Sequence, residues 1–340
     1  MTVPWMKSRT FLIAEAGVNH NGDPARAAAM VELAAEAGAD AVKFQTFRAE
    51  ALVTARTAMA EYQQRNVGTE GSQLDMLRKL ELSEDAHLML KRRAEELGLL
   101  FFSTAFDNAS MDFLASLDQP LWKIPSGEIT NYPYLMRIAG MNRPTILSTG
   151  MATLAEVAQA VEALVEHGLE RDRLCILHCN TEYPTPLQDV NLRAMETLGT
   201  AFGCAYGYSD HTEGVTVSVA ATALGARVIE KHFTLDKTLP GPDHAASLSP
   251  DELRQWVSSV REAEAALGSA IKKPSASEAK NRQPARKTVV AASHIAKGEA
   301  FSEANLSVKR AGGGLSPMLW PSILGLPARR DFDADEPIEL

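Results

Sequence analysis

Eight short apolar runs recur along the chain, at residues 11–14, 41–44, 99–103, 121–124, 145–148, 174–178, 205–208 and 227–231. Most are apolar on both faces instead of alternating, and long helical patterns separate them. That is the mark of parallel strands buried on both sides and joined by crossovers. The segments between them carry helix punctuation. Asp23-Pro24 opens an Ala-rich helix that Gly38 closes, Ser83-Glu84 and Gly98 bracket another, and Thr153-Leu154 and Gly168 a third. Strand, capped helix and glycine in this rhythm predict an α/β fold, a (β/α)8 TIM barrel, whose strand C-termini all surround one mouth. The runs end in or beside residues that can do chemistry, the last two in Ser209-Asp210-His211 and Glu230-Lys231-His232. The chain therefore reads as an enzyme.

Two intervals break the rhythm. Residues 48–82 are too long and polar for a simple connector and carry Tyr62-Gln63-Gln64-Arg65-Asn66, so a functional loop at the mouth is expected there. A last helix from Ser249-Pro250 to Leu267 closes the barrel, after which Lys, Ser, Pro and Arg take over. The expected organisation is a catalytic barrel over residues 1–270, a linker over 271–287 and a small module over 288–340, broken by Gly312-Gly313-Gly314, Pro317, Pro321 and Pro327. So small a module has a meagre core and would gain from docking, most naturally on the barrel mouth.

Composition narrows the partners. The chain has 340 residues, 45% of them hydrophobic and 23% charged, enough for a sizeable core. Its formal charge of -9 argues against nucleic acid or an anionic membrane as partner, and an anionic substrate would need a locally positive pocket. Glu15 interrupts the first apolar run, so neither a secretory core nor a spanning helix is expected and the cytoplasm is the expected location. The three cysteines, Cys175, Cys179 and Cys204, have no CxxC spacing and read as incidental thiols.

Lys43 and Lys123 sit at the ends of the second and fourth runs. A lysine at a buried strand end is costly unless it meets an anion, so two facing one pocket favour a phosphate or carboxylate. The hydroxyls of Thr104, Ser126, Ser148 and Ser209 gather at the same level and add donors. Taken singly, these lysines can snorkel and these hydroxyls can cap helices; together they read as an anion site. His211 and His232 end neighbouring strands and are expected to hold a catalytic divalent metal with open positions: Mn, Co or Zn by ligand preference, without excluding Mg. Glu15, Glu128 and Asp243 supply carboxylates, with helix capping or ion pairing as their plainer roles. No GxGxxG follows the first strand, and His178 reads as structural.

The motifs Ala14-Glu15-Ala16-Gly17-Val18-Asn19-His20-Asn21-Gly22, Val42-Lys43-Phe44-Gln45-Thr46, Trp122-Lys123-Ile124-Pro125-Ser126-Gly127-Glu128 and Leu147-Ser148-Thr149-Gly150-Met151 resemble the sialic acid synthase family. His178-Cys179-Asn180-Thr181-Glu182-Tyr183-Pro184, Tyr208-Ser209-Asp210-His211, Ile229-Glu230-Lys231-His232-Phe233-Thr234 and Gly241-Pro242-Asp243 continue the likeness in order. The resemblance implies a C-terminal antifreeze-like (SAF) module and condensation of phosphoenolpyruvate with an N-acylated mannose-type sugar and water. The products would be a nine-carbon 2-keto acid and phosphate. It implies that Lys43, Thr104, Lys123, Ser126, Ser148, Thr181 and Ser209 hold phosphoenolpyruvate, with Asn180 the alternative to Thr181. Gln45, Tyr183 and Asp243 would face the sugar. His211 and His232 would hold Mn2+, with Mg2+ or Co2+ as alternatives, to polarise the aldehyde. Arg310 would reach the N-acyl group from the partner subunit of a swapped homodimer. Glu15 or Glu128 would handle the proton of the attacking water. N-acetylmannosamine is the first expected acceptor, giving N-acetylneuraminate; 2,4-diacetamido-2,4,6-trideoxymannose, giving legionaminic acid, is the alternative. A Schiff-base aldolase and a non-catalytic sugar-binding or ice-binding protein are the distant ones.

Overall fold

Eight parallel strands form one sheet: β1 (Phe11–Gly17), β2 (Ala41–Thr46), β3 (Leu100–Ala105), β4 (Trp122–Ile124), β5 (Thr145–Ser148), β6 (Leu174–Cys179), β7 (Ala205–Asp210) and β8 (Val228–His232). Their order, β3-β2-β1-β8-β7-β6-β5-β4, wraps the first strand onto the last, and β3 packs beside β4, so the barrel is nearly closed. This is a computed structural model, and it describes residues 3–59, 64 and 72–340. Of Tyr62-Gln63-Gln64-Arg65-Asn66, all but Gln64 lie outside the described residues.

The strands outlast the apolar runs that announce them. β1 continues through Glu15 to Gly17, β2 to Thr46, β3 to Ala105, β7 to Asp210 and β8 to His232. The backbone ladder persists where the side chains turn polar, because the polar stretch faces a site and not a core. Register makes this concrete: Glu15 lies opposite Lys43 and His232, and Ser209 opposite Glu230.

Eight helices cover the sheet: α1 (Pro24–Glu36), α2 (Glu84–Glu96), α3 (Asn108–Ser116), α4 (Tyr132–Gly140), α5 (Leu154–Glu166), α6 (Ala194–Phe202), α7 (Thr216–Ala223) and α8 (Pro250–Leu267). Their starts obey the sequence. Asp23 accepts from the amides of Ala25 and Arg26, with Pro24 at the first helical position; Thr153 with Glu156 and Ser249 with Glu252 form capping boxes. Outward residues such as Leu12, Val42, Phe44 and Ile229 pack against Met30, Leu90 and Trp256 of the helix layer. Inward residues Ile13, Phe102, Ile146, Leu177 and Val228 fill the barrel below the mouth together with Val3 and Trp5 of the N-terminal segment. Among the described residues, no helix is long and apolar enough to cross a membrane, and all three cysteines are free thiols.

The chain divides into two compact units, Met1–Gly268 and Ser269–Leu340. In the second, residues 271–287 are exposed throughout and include two short helical turns, Ala276–Ala279 and Arg282–Ala285. Beyond them β9 (Thr288–Ala291) and β10 (Leu306–Lys309) pair antiparallel. Val289, Ile295, Phe301, Ile323, Phe332 and Ile338 give this unit a small core of its own.

Gly207 is required by contact: a Cβ there would lie 2.0 Å from the Val228 carbonyl oxygen and 2.9 Å from Leu177 Cδ2. Backbone in the next strand cannot yield as a side chain does. Gly207→Ala is expected to lower unfolding stability by roughly 2–3 kcal/mol in denaturant titration; an unchanged midpoint would show that β7 and β8 are not so closely apposed.

Candidate active site

A cavity of about 680 Å3 opens where the strands end. Glu15, Lys43, Gln45, Thr104, Lys123, Ser126, Ser148, Thr181, Tyr183, Ser209, His211, His232 and Asp243 all line it, although they come from seven strands and the loops that follow. Two sequence candidates do not. Glu128 lies on the short 3-10 turn Ser126–Glu128, where its carboxylate accepts from Asn131 Nδ2, and Arg310 is an exposed residue of the second unit. The Asn180 and Thr181 alternatives separate cleanly. Thr181 lines the cavity, whereas Asn180 Oδ1 turns back to accept from the Glu182 amide.

The floor is a buried charge network. Lys43 Nζ lies 2.9 Å from Glu15 Oε2 and 3.8 Å from Glu230 Oε2, and donates to Thr104 Oγ1 at 3.2 Å. Lys123 Nζ donates to Glu230 Oε1 at 3.1 Å, and Ser209 Oγ donates to the same oxygen at 3.2 Å. All four charged residues are at most 3% exposed. Burial alone would push Glu230 up, but the Lys123 and Lys43 ammoniums outweigh it and hold its carboxyl below the usual carboxylate range. Glu15 has a single ammonium, Lys43, with Gln45 Nε2 donating to its Oε1 at 3.1 Å, and faces Glu230; burial dominates and pushes it up to about 7. Burial also works against the Lys43 ammonium, yet Glu15 and Glu230 raise its pKa. A lysine held so firmly charged is no amine nucleophile, which disfavours a Schiff base. Lys231 is lowered by burial but does not line the cavity.

The two imidazoles lie edge to face with ring centroids 5.5 Å apart, and Tyr183 stacks on His211 at 4.1 Å. Burial lowers His211 to about 4 and His232 well below its ordinary value, so both rings are neutral near pH 7. His211 Nδ1 meets the Asn180 carbonyl at 2.5 Å. A carbonyl only accepts, so Nδ1 carries the proton and Nε2 keeps its lone pair. His232 Nδ1 and Ser148 Oγ are buried without a hydrogen-bond partner. Neutral rings, a lone pair set by an outer hydrogen bond and unpartnered polar atoms suit a divalent cation and an oxyanion. Among the described residues no group of three or more His, Cys, Asp and Glu side chains is arranged to hold a metal. An ion here would complete its shell with substrate or water oxygens.

Sequence reasoning missed two features. Glu230 went unassigned although it stands two residues before His232 on β8, the spacing that shares a strand face. The far half of the cavity is an apolar wall of Phe47, Leu52, Val53, Met76, Leu77, Leu80 and Phe106, most of it from the excursion between β2 and α2. Neither the polarity of that excursion nor its length showed which of its residues would turn inward.

A barrel mouth with paired lysines, a ring of hydroxyls and two neutral imidazoles has the class of arrangement found at the strand C-termini of barrel enzymes. The NeuB family model matches residues 30–272 and the SAF domain model residues 286–340. The chain belongs to the NeuB family, the sialic acid synthases, and is an enzyme of that synthase type. It is 49% identical over 328 residues to the N,N'-diacetyllegionaminic acid synthase of Campylobacter jejuni, covering 96% of this chain and 98% of that one. The N,N'-diacetyllegionaminic acid synthase of Legionella pneumophila is 48% identical over 317 residues, 93% of this chain and 89% of that one. The crystal structure of N-acetylneuraminic acid synthetase from Leptospira borgpetersenii in complex with citrate matches with a TM-score of 0.70 and 33% identity, over 80% of this chain and 90% of that one.

The Glu15 shift has a sign that can be read. Its folded pKa of about 7 is above the ordinary value, so the folded chain binds the extra proton between the two, and this group's contribution to stability falls as pH rises across that interval. Anion binding should follow the same proton. Affinity for sulfate, which does not titrate there, is expected to fall several-fold as pH rises through about 7, and to stay flat in Glu15→Gln. Calorimetric titration of both proteins across that range decides it; a wild-type affinity independent of pH would remove Glu15 from the anion site.

Proposed function

We propose that the protein condenses phosphoenolpyruvate with the open-chain aldehyde of 2,4-diacetamido-2,4,6-trideoxymannose and water, giving a legionaminic-type nine-carbon 2-keto acid and phosphate. The observation that carries this reading is the division of the cavity into a lysine-and-hydroxyl floor and an apolar wall. The floor suits a compact phosphate and carboxylate. The wall suits a sugar whose C6 is a methyl group and whose second acetamido group brings another methyl. N-acetylmannosamine, the acceptor first expected from the sequence, keeps hydroxyls at C4 and C6, and a hydroxyl desolvated against such a wall loses its partners. The two legionaminic acid synthases at 49% and 48% identity support the same choice.

In this reading Lys43 and Lys123 neutralise the phosphate and carboxylate, while Thr104, Ser126, Ser148, Thr181 and Ser209 donate to their oxygens. Binding draws Lys43 and Lys123 from Glu230 toward the new anion, so the network is already oriented before substrate arrives. Gln45, Tyr183 and Asp243 face the sugar, and C3 of phosphoenolpyruvate attacks its C1 aldehyde. A divalent cation held by His211 and His232, Mn2+ above all, supplies Lewis-acid polarisation of the aldehyde oxygen when bound. Formation of the C–C bond leaves an alkoxide on the former aldehyde carbon and an oxocarbenium at C2. Water adds there, Glu15 takes one of its protons as the alkoxide gains one, and the C2–O bond to phosphate breaks as the remaining hydroxyl proton leaves with phosphate and C2 becomes the keto carbon. Glu15 is assigned this role over Glu128 because Glu15 lines the cavity and burial raises its pKa to about 7, into the range of a general base. Arg310 reaches the N-acyl group of the acceptor bound by the partner subunit of a homodimer.

Phosphate release with each acceptor, with Mn2+ and after chelation, tests the whole reading. The diacetamido-trideoxy sugar is expected to give the higher kcat/KM by at least about tenfold, on the cost of burying unpaired hydroxyls. Faster release with N-acetylmannosamine would return the protein to N-acetylneuraminate synthesis, and release with neither would defeat the condensation. Glu15→Gln is expected to lower kcat by about a hundredfold or more with a smaller change in the KM for phosphoenolpyruvate. Arg310→Ala should raise the acceptor KM alone; equal changes for both substrates would deny it that contact.

A further inference from the structure

Behind the two histidines, on the opposite face of the same strands, lies a second charged pair with no role in the reading so far. Asp210 and Lys231 stand opposite each other in the β7–β8 register, one residue before His211 and His232 respectively. Strand alternation points them away from the cavity, into the layer against the helices. Lys231 Nζ lies 3.0 Å from Asp210 Oδ2, and their side chains are 2% and 0% exposed. Asp210 is fully occupied. Oδ1 accepts from the Thr212 amide at 2.9 Å and Thr212 Oγ1 at 2.6 Å, and Oδ2 accepts from Ser218 Oγ at 2.6 Å. Ser218 Oγ in turn accepts from Trp256 Nε1 at 2.8 Å, and Lys231 Nζ donates to the Thr212 carbonyl at 2.6 Å.

Apolar side chains fill this layer at the neighbouring outward positions, Tyr208 and Ile229. Taking an ammonium and a carboxylate out of water there costs about what their attraction returns, so the pair is a poor device for stability alone. Its bonds converge instead on one stretch of backbone: residues 210 and 212 are both clamped, leaving His211 held between them. We propose that Asp210 and Lys231 are positioning residues that fix the loop carrying His211, and so its hydrogen bond to the Asn180 carbonyl and its approach to His232. The inference rests on the assignment of those two rings to the catalytic centre.

The test is the double variant Asp210→Asn/Lys231→Met, which removes both charges and keeps the volume. Thr212→Val, which removes a single donor, serves if the double variant does not fold. The deciding readout is solvent exchange of the His211 Nδ1 proton, seen as a downfield imidazole N–H resonance in protein labelled at histidine. Exchange is expected to quicken by about tenfold or more in the double variant and several-fold in Thr212→Val, with the thermal midpoint little changed. Mn2+ affinity, read by electron paramagnetic resonance, should weaken by about 10–100-fold, the usual effect of losing an outer partner of a ligand. Exchange at the wild-type rate in a folded variant overturns the proposal. Faster exchange in a protein whose wild type binds no Mn2+ upholds the positioning role and withdraws the metal from the proposed function.

Discussion

Two ammonium groups and two carboxylates, buried together at the ends of β1, β2, β4 and β8, constrain everything around them. Each would be prohibitively costly alone in a barrel interior, and each is tolerable only because the others are within reach. Lys43 is shared by Glu15 and Glu230, and Glu230 by both lysines. That asymmetry decides the protonation states: the carboxylate with two cations stays charged, and the one with a single cation and a carboxylate neighbour is pushed toward neutrality. A network with an unevenly held charge can exchange an internal anion for an external one with little rearrangement.

The barrel supplies this arrangement through alternation. On β7 and β8 the inward residues are Ser209, Glu230 and His232, and the outward ones are Tyr208, Asp210, Ile229 and Lys231. One set lines the cavity and the other reaches the helix layer. A strand pair thus carries two polar systems back to back, separated by a single backbone thickness. The outer one holds the chain where the inner one needs it, and the bond from His211 Nδ1 to Asn180 fixes the tautomer that keeps the lone pair on Nε2, 3.4 Å from Ser209 Oγ. Above them, Asn19 Nδ2 donates to the Phe233 carbonyl and to Ser247 Oγ, tying the loop after β1 to the loop that carries Asp243.

The fold was largely legible because burial writes itself into hydropathy. Each of the eight apolar runs became a strand, and Asp23, Ser83, Thr153 and Ser249 cap helices as their residue types demand. At their C-terminal ends β1, β2, β3, β6, β7 and β8 run past the apolar pattern, since hydropathy stops where the site begins while the ladder continues; β4 and β5 end with it. Most of the site was legible from the same geometry, because residues at strand C-termini share a mouth. Glu230 escaped because nothing local marks it: it shares a strand face with His232, and the lysines that give it a role come from β2 and β4. Glu128 misled for the opposite reason: it follows Ser126-Gly127 in a site motif, yet the turn rotates its carboxylate onto Asn131.

What the sequence by itself determined is the architecture, the set of polar groups at the mouth and the family, since periodicity, capping and ordered motifs are local properties of the chain. Tertiary structure alone decided which of those groups face one another. The pairing of Glu230 with both lysines and the inward turn of the apolar wall depend on contacts between segments far apart in the chain. Local preference does not encode such contacts; they arise from the stagger and closure of the barrel. Shared pKa values follow from them, because the energy of a buried charge depends on what lies within a few ångströms in space and not on what adjoins it in sequence.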